Sequence, residues 1–325
     1  LLTNTTKQSK HYISRAASKI AGSLFIVILL TACATSPQYL VSNSPLKPAA
    51  HLVDVPFFAQ QQYQCGPAAL AMLLNYAGID VSPDELVKQV YLPARKGSLQ
   101  IEIQASTRRY HLVPYVINPQ LESLLLEIEA GNPVLVLQNL GLSWLPVWHY
   151  AVAIGYDLEQ QFIILHSGTR QARPVSLKTF ARTWQRADNW GIVITAIDQV
   201  PASAEPERFI SAVTSLNGAD NTLSRHHAYR AAAQHWPQQL LPQISLGNSY
   251  YTQGNLVAAE HAYRNAIIDH PQSALALNNL AQTLADQNRL DEARVIILQA
   301  AEIGGPFSSE IQQTLNEIEK KRSSQ

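Results

Sequence analysis

At 325 residues the chain is long enough for about two domains, and its 46% hydrophobic and 15% charged residues suit a folded protein. Lys+Arg and Asp+Glu each total 24, and no basic run interrupts the body of the chain, so nothing points to nucleic acid as a partner. No cluster has zinc-ligand spacing and no phosphate-binding G-x-x-x-x-G-K-[ST] loop occurs, so neither a metal nor a cofactor is expected.

Residues 1–32 carry a basic start (Lys7, Lys10, Arg15, Lys19), an apolar run from Ala21 to Leu30, and then Leu30-Thr31-Ala32-Cys33. A basic region, about ten apolar residues and small residues before a cut make a secretory signal, and the run is short for a bilayer span. Its end resembles the lipobox of bacterial lipoproteins. That resemblance implies a mature protein starting at Cys33, acylated on its sulfur and amino group, and held stably in a membrane by several acyl chains. It implies a place in the bacterial cell envelope, and with Ala34 and no Asp after the cysteine it implies, in a Gram-negative host, the outer membrane facing the periplasm. Residues 33–50, rich in Ser, Pro and Ala, read as a tether.

Lipidation would use up Cys33 and leave Cys65 alone in an oxidising compartment, as a buried small hydrophobe or as a reactive thiol. The context favours the thiol. From Pro67 to Tyr76 apolar residues fill every face, which predicts a buried helix, and Pro67 suits its first turn. Cys65 then sits at a helix N-terminus, where the partial positive charge favours thiolate. Further along, Ser82-Pro83-Asp84-Glu85 predicts a helix start capped by Ser82, and Leu99 to Tyr110 another helix. Pro114–Ile117 and Pro133–Leu137 read as strands. Trp144, Trp148 and Trp184 read as core or cleft wall.

A thiolate needs a partner that can also protonate a leaving amine, and histidine is the usual choice. His149 lies inside an apolar strand, Val147–Tyr156; Asp157–Gln161 turns the chain and Phe162–Leu165 returns it. A polar ring inside such a strand requires a partner.

Gln64-Cys65-Gly66-Pro67-Ala68-Ala69, and 84 residues further on His149-Tyr150-Ala151-Val152-Ala153-Ile154-Gly155-Tyr156, together resemble the bacteriocin-processing cysteine peptidases. Those are papain-like enzymes, best known as N-terminal domains of peptide exporters that cut after a double-glycine leader. The likeness covers roughly residues 51–196 and implies an α+β papain-like cysteine peptidase domain. It also implies a Cys-His-Asp triad with a glutamine donating to the oxyanion. Cys65 and His149 match as nucleophile and base. The family's glutamine stands six residues before the cysteine, where this chain has Ala59; Gln60 is the preferred candidate, with Gln61, Gln62 and Gln64 as rivals. The expected Asp after the return strand is replaced by His166-Ser167-Gly168, so the third member is Ser167 or, with the register shifted by one, His166. Asp157 lies in the turn, too far along the hairpin, and Asn189 precedes the last strand, Trp190–Thr195. Lys96-Gly97-Ser98-Leu99-Gln100 is similar to a run in the family's lipoprotein branch, either bordering the cleft or forming an ordinary loop.

Residues 197–208 read as a linker. Beyond it, comparing the chain with itself at a 34-residue offset matches Leu246, Tyr250, Ala259 and Tyr263 with Leu280, Leu284, Ala293 and Ile297. The pattern over residues 209–325 resembles an all-α tetratricopeptide helical repeat module: strongest at 240–273, good at 274–307, weak at 206–239, with a capping helix from Glu310 to Lys321. So few units fold only marginally alone, which predicts packing on the first domain. The adjacent His226-His227 read as solvated surface. The chain as a whole reads as a lipid-anchored cysteine peptidase acting on a peptide or protein substrate, with repeats for a protein partner. The alternatives are a catalytically weak or inactive peptide-binding module, and acyl or amide transfer on the same groups.

Overall fold

The computed structural model describes residues 46–216 and 222–324. The signal segment, Cys33 and most of the expected tether lie outside them. The first part is one antiparallel sheet in the order β2-β7-β3-β4-β5-β6. Its strands are β1 (Ala49–His51), β2 (Val113–Val116), β3 (Val134–Asn139), β4 (Trp148–Asp157), β5 (Phe162–Ser167), β6 (Arg170–Ser176) and β7 (Gly191–Thr195). β1 pairs with the far end of β4, Ala50 opposite Tyr156, so the tether ends inside the sheet rather than at residue 50. Neither β1 nor β6 is expected from sequence. Nor are two of the five helices around the sheet, α4 (Leu121–Glu129) and α5 (Leu177–Gln185); the other three are α1 (Cys65–Tyr76), α2 (Pro83–Val90) and α3 (Gln100–Arg109).

β3 is buried along its whole length and β4 from Tyr150 to Tyr156, which accounts for their unbroken apolar sequences. α1 packs against β3 and β4, and every residue from Gly66 to Leu74 is buried. Leu70, Met72 and Leu74 share one core with Leu135, Leu137, Tyr150, Val152 and Ile154. Fixing α1 on these strands fixes its first residue, Cys65, beside β4. Ser82 caps α2 through a capping box: its Oγ accepts from the Glu85 N–H at 3.3 Å while the Glu85 carboxylate accepts from the Ser82 N–H at 2.8 Å.

The helical part comprises α6 (Pro206–Thr214), α7 (Thr222–His235), α8 (Leu240–Thr252), α9 (Leu256–Asp269), α10 (Ala274–Asp286), α11 (Leu290–Ile303) and α12 (Ser308–Ser323). Of the positions matched at 34 residues, Ala259, Tyr263, Leu280, Leu284, Ala293 and Ile297 lie in its buried core, Tyr250 packs half-buried against that core, and Leu246 is half-buried. His226 departs from the surface expectation: it is buried, its Nδ1 is 3.1 Å from the Ser249 hydroxyl and its ring is 4.7 Å from Tyr250. Residues 197–208 are not a free linker. The fully buried Glu127 carboxylate accepts from the Ser203 N–H and hydroxyl, each at 2.6 Å, and from Ala202 N–H at 3.3 Å. The Tyr115 hydroxyl takes the Glu205 N–H at 3.1 Å, and α6 packs on β2. A buried carboxylate demands such donors, and supplying them seats the first repeat helix on the sheet.

Candidate active site

The site forms where β4 and β5 part. From Asp157 opposite Phe162 to Gly155 opposite Ile164 the two strands pair in one register; from Ala153 opposite Leu165 to Val152 opposite His166 they pair shifted by one, leaving Ile154 as the extra residue of a bulge. The Ile154 carbonyl accepts from the Leu52 N–H at 2.7 Å instead. Because side chains alternate along a strand, this one-residue shift decides which β5 side chain shares a face with His149. Continuing the shifted register sets Gly168 opposite Tyr150, and Ser167 on the diagonal to His149. The His149 Nε2 is 2.9 Å from the Ser167 Oγ.

His166 points to the other face and does not reach His149. It is buried, its Nδ1 accepts from the Ala172 N–H at 3.0 Å, and its Nε2 therefore carries the proton that it shares with the Val55 carbonyl at 3.1 Å. The β5–β6 register also shifts here, and His166 takes up the N–H freed by that irregularity. Its work is to fasten β6 and the Val55 segment. Asn189 donates to the Pro119 carbonyl, and Asp157 accepts from Gln160 in the distant turn, so neither is engaged with His149.

Past Val152 the direct ladder between β4 and β5 stops, and the Gln60 side chain bridges the gap. Its Nε2 donates to the Tyr150 carbonyl at 3.1 Å and its Oε1 accepts from the Gly168 N–H at 3.1 Å, while the Gln60 N–H donates to the Gly168 carbonyl at 3.0 Å. One amide thus holds the two strands apart by its own width. Gly168 begins the two-residue turn from Ser167 to Arg170 with φ +63°, which suits a hairpin turn with glycine at its first central position. Gln61 and Gln62 are exposed, and Gln64 is the residue before α1 without a side-chain cap bond.

The opened edge of β4 receives the thiol. Cys65, half-buried and free, faces the backbone N–H groups of Tyr150, Gly66 and Cys65 itself, which favour its thiolate. Tyr150 is therefore shared: its N–H serves Cys65, its carbonyl serves Gln60, and its chain neighbour is His149. Burial pushes the Cys65 thiol above its ordinary value, and the three N–H groups offset this only in part. Desolvation thus opposes the lowering expected from the helix N-terminus. Burial, and secondarily the positive charge of Arg173, lowers His149. At rest both shifts favour a neutral thiol beside a neutral imidazole.

The Lys96–Ser98 loop does border the site. A side chain on Gly66 would come within 2.6 Å of the Ser98 Cβ, so glycine is required beside the nucleophile for this loop to close on it. The Tyr150 hydroxyl donates to the Ser98 carbonyl at 3.3 Å, and the Lys96 ammonium lies 5.6 Å from the centre of the Tyr63 ring. Trp184 is core, stacked on Phe180 at 5.5 Å. Trp144 and Trp148 are not: they are 79% and 55% exposed, on a hairpin that leads into His149.

Comparison with known proteins agrees with this architecture. The model of the peptidase C39-like family matches residues 52–192, and a tetratricopeptide repeat model matches residues 244–309. Among solved structures, the chain is similar to a C39-like peptidase from Bacillus anthracis, at 19% identity over 46% of this chain and 98% of that one, TM-score 0.39. It is also similar to a double-glycine motif protease from an AMS/PCAT transporter in complex with the leader peptide, at 18% identity over 45% and 94%, TM-score 0.35. The type III secretion chaperone SycD of Yersinia enterocolitica matches at 18% identity over 36% and 93%, TM-score 0.33. No curated protein matches at a significant level. The peptidase C39-like family model thus covers residues 52–192, and the tetratricopeptide repeat model covers a stretch that follows in the same chain.

Proposed function

We propose that this chain is a thiol peptidase that hydrolyses peptide bonds with Cys65 as nucleophile and His149 as base. The observation that carries the reading is the convergence on the Tyr150 backbone: thiol, glutamine amide and histidine strand meet within one residue of each other. The Ser167 hydroxyl fixes the ring by accepting from Nε2–H, which leaves the Nδ1 lone pair for the thiol proton. As that proton moves to His149, sulfur attacks the carbonyl carbon. The oxyanion is met by backbone N–H groups at the start of α1 and by the second N–H of the Gln60 amide, the first being held by Tyr150. The C–N bond breaks as imidazolium protonates the leaving amine. Water, deprotonated by the same ring, then releases the acid and restores the thiol. A neutral resting pair and a hydroxyl in place of a carboxylate make this a slower peptidase than one with a complete triad, because a neutral hydrogen bond is roughly half as strong as a charge-assisted one.

The lipobox at Leu30–Cys33 supports an envelope lipoprotein, and the repeats support binding of a peptide or a protein partner. The missing carboxylate favours a second reading, a peptide-binding module that keeps the fold without cutting. Mass spectrometry after a chloroacetamide pulse at neutral pH separates the two. The peptidase reading expects labelling selective for Cys65 that is lost in His149→Ala, together with cleavage products from a peptide library. Labelling that is indifferent to His149, with no peptide cut, leaves the binding module standing.

A further inference from the structure

Between β3 and His149 the chain makes a hairpin that the sheet does not cover. Leu140, Leu142, Trp144, Leu145, Val147 and Trp148 are all exposed on it, and residues 130–156 contain no charged side chain. Single exposed apolar residues are ordinary; six on one short prong mark a contact surface. We propose that this prong docks on a lipid bilayer, entering the zone between headgroups and acyl chains.

Three features select lipid over a peptide or a second protein chain. The first is the backbone. Leu140 N–H donates to the Val147 carbonyl at 2.9 Å, and Leu142 and Leu145 exchange both N–H bonds at 3.1 Å. The Asn139 side chain completes the foot: its Oδ1 accepts from the Gly141 and Val147 N–H groups at 3.0 and 2.9 Å, and its Nδ2 donates to the Leu142 carbonyl at 3.3 Å. Pro146 has no N–H to satisfy. These bonds leave fewer groups open than a surface that recruits a peptide as an added strand must keep. The second feature is composition. Two tryptophans with Leu and Val are the side chains that settle at a membrane–water boundary, and an arm from Leu140 to Ser143 is roughly 10 Å long, the depth of that zone.

The third is charge at the foot. Arg186 grips the Asn139 carbonyl through Nε and Nη2 at 3.1 and 2.9 Å, fixing the prong to the end of α5. The last turn of that helix adds Arg182 and the helix holds no acidic residue, so two cations stand near the foot of an apolar tip. This is the charge order that anionic headgroups over acyl chains reward. Because the prong runs straight into His149, docking would bring the mouth of the site to the membrane surface. The inference holds whether or not Cys65 cuts, and whether or not Cys33 is acylated.

The test is depth-dependent quenching of the full chain on phosphatidylethanolamine–phosphatidylglycerol vesicles, with and without bromine on the acyl chains. Quenching, not co-sedimentation, is the readout, since a lipidated or apolar N-terminus would hold the chain on vesicles by itself. Two of the five tryptophans lie on the prong, so bromine should remove up to about two-fifths of the emission and leave the rest. Trp144→Ser with Trp148→Ser should abolish the bromine effect while circular dichroism stays unchanged. Equal emission on plain and brominated vesicles overturns the proposal, as does quenching that persists in the double variant. So does self-association without lipid that the double variant removes, which would assign the prong to a second copy.

Discussion

The two ends of the β4–β5 pair are built from the same chain under opposite rules. Toward Asp157 the strands exchange backbone bonds directly, and the side chains between them, Ile163 and Leu165, are buried and inert. Toward His149 one amide replaces the ladder, and its insertion frees the Tyr150 N–H for a sulfur atom. The difference shows how a sheet becomes a site: strand edges already carry aligned donors and acceptors, and an active site needs only one side chain to keep a neighbour from using them. The cost is that Gln60 must bond both strands at once.

Gln60→Ala is therefore the change that should separate the two ends most. It leaves the Tyr150 carbonyl and the Gly168 N–H without their partner, a penalty of about 2 kcal/mol or more. It also removes the proposed oxyanion donor, a loss on the order of 10²–10³ in kcat. Gln60→Glu keeps an acceptor for Gly168 but sets an oxygen against the Tyr150 carbonyl, so it should lose activity without recovering stability. Peptide turnover and denaturant titration of both variants check this. Activity near wild type in Gln60→Ala would mean that the opening is held by the Ile154 bulge alone.

Substitutions at adjacent β5 positions should then fall on opposite sides of the comparison. Ser167→Ala removes the acceptor at Nε2 and should slow Cys65 acylation about tenfold, with little change in stability. Ser167→Asp supplies a carboxylate to the same nitrogen and should raise the rate above wild type. His166→Ala, one residue away, should do the reverse. It strands the Val55 carbonyl and the Ala172 N–H in the interior and opens a cavity, costing about 2–4 kcal/mol, yet acylation of the protein that remains folded should be unchanged. Equal kinetic effects at 166 and 167 would break the assignment of faces.

That pair of residues also marks how far the sequence could be followed. Cys65 at a helix start, His149 in an apolar strand and the 34-residue repeat are local or periodic patterns, and each survives in the structure. The choice between Ser167 and His166 is neither. It depends on one bulged residue, Ile154, inside a run of apolar residues where nothing in the composition marks a shift of register. Gln60 is one of four glutamines in its loop and is picked out only by what lies across the gap. The thiol had the helix N-terminus in its favour, but desolvation depends on how many neighbours crowd it, which the packing of α1 on β4 decides. Trp144 and Trp148 depart from the core half of their reading: large apolar residues are most often inside, and these two are exposed.

The smallest effect tests the electrostatics at the open end. His149 is lowered first by burial and then by Arg173, an exposed residue of β6. A base whose pKa is lowered stays neutral down to a more acidic pH, so the acid limb of Cys65 labelling should lie below the ordinary histidine range. The Cys65 thiol is raised, so the thiolate fraction at neutral pH is small, and labelling should go on climbing as pH passes through the ordinary thiol range instead of levelling off before it. Arg173→Gln removes only the second of the two causes acting on His149. The acid limb should move upward toward the usual value without reaching it, and the alkaline rise should stay in place. Because Arg173 acts through solvent, high salt should reproduce much of that shift in the wild type and add little to the variant. A rate profile of iodoacetamide labelling against pH, at low and high ionic strength, reads both limbs at once. An acid limb unmoved by Arg173→Gln would leave burial as the whole cause.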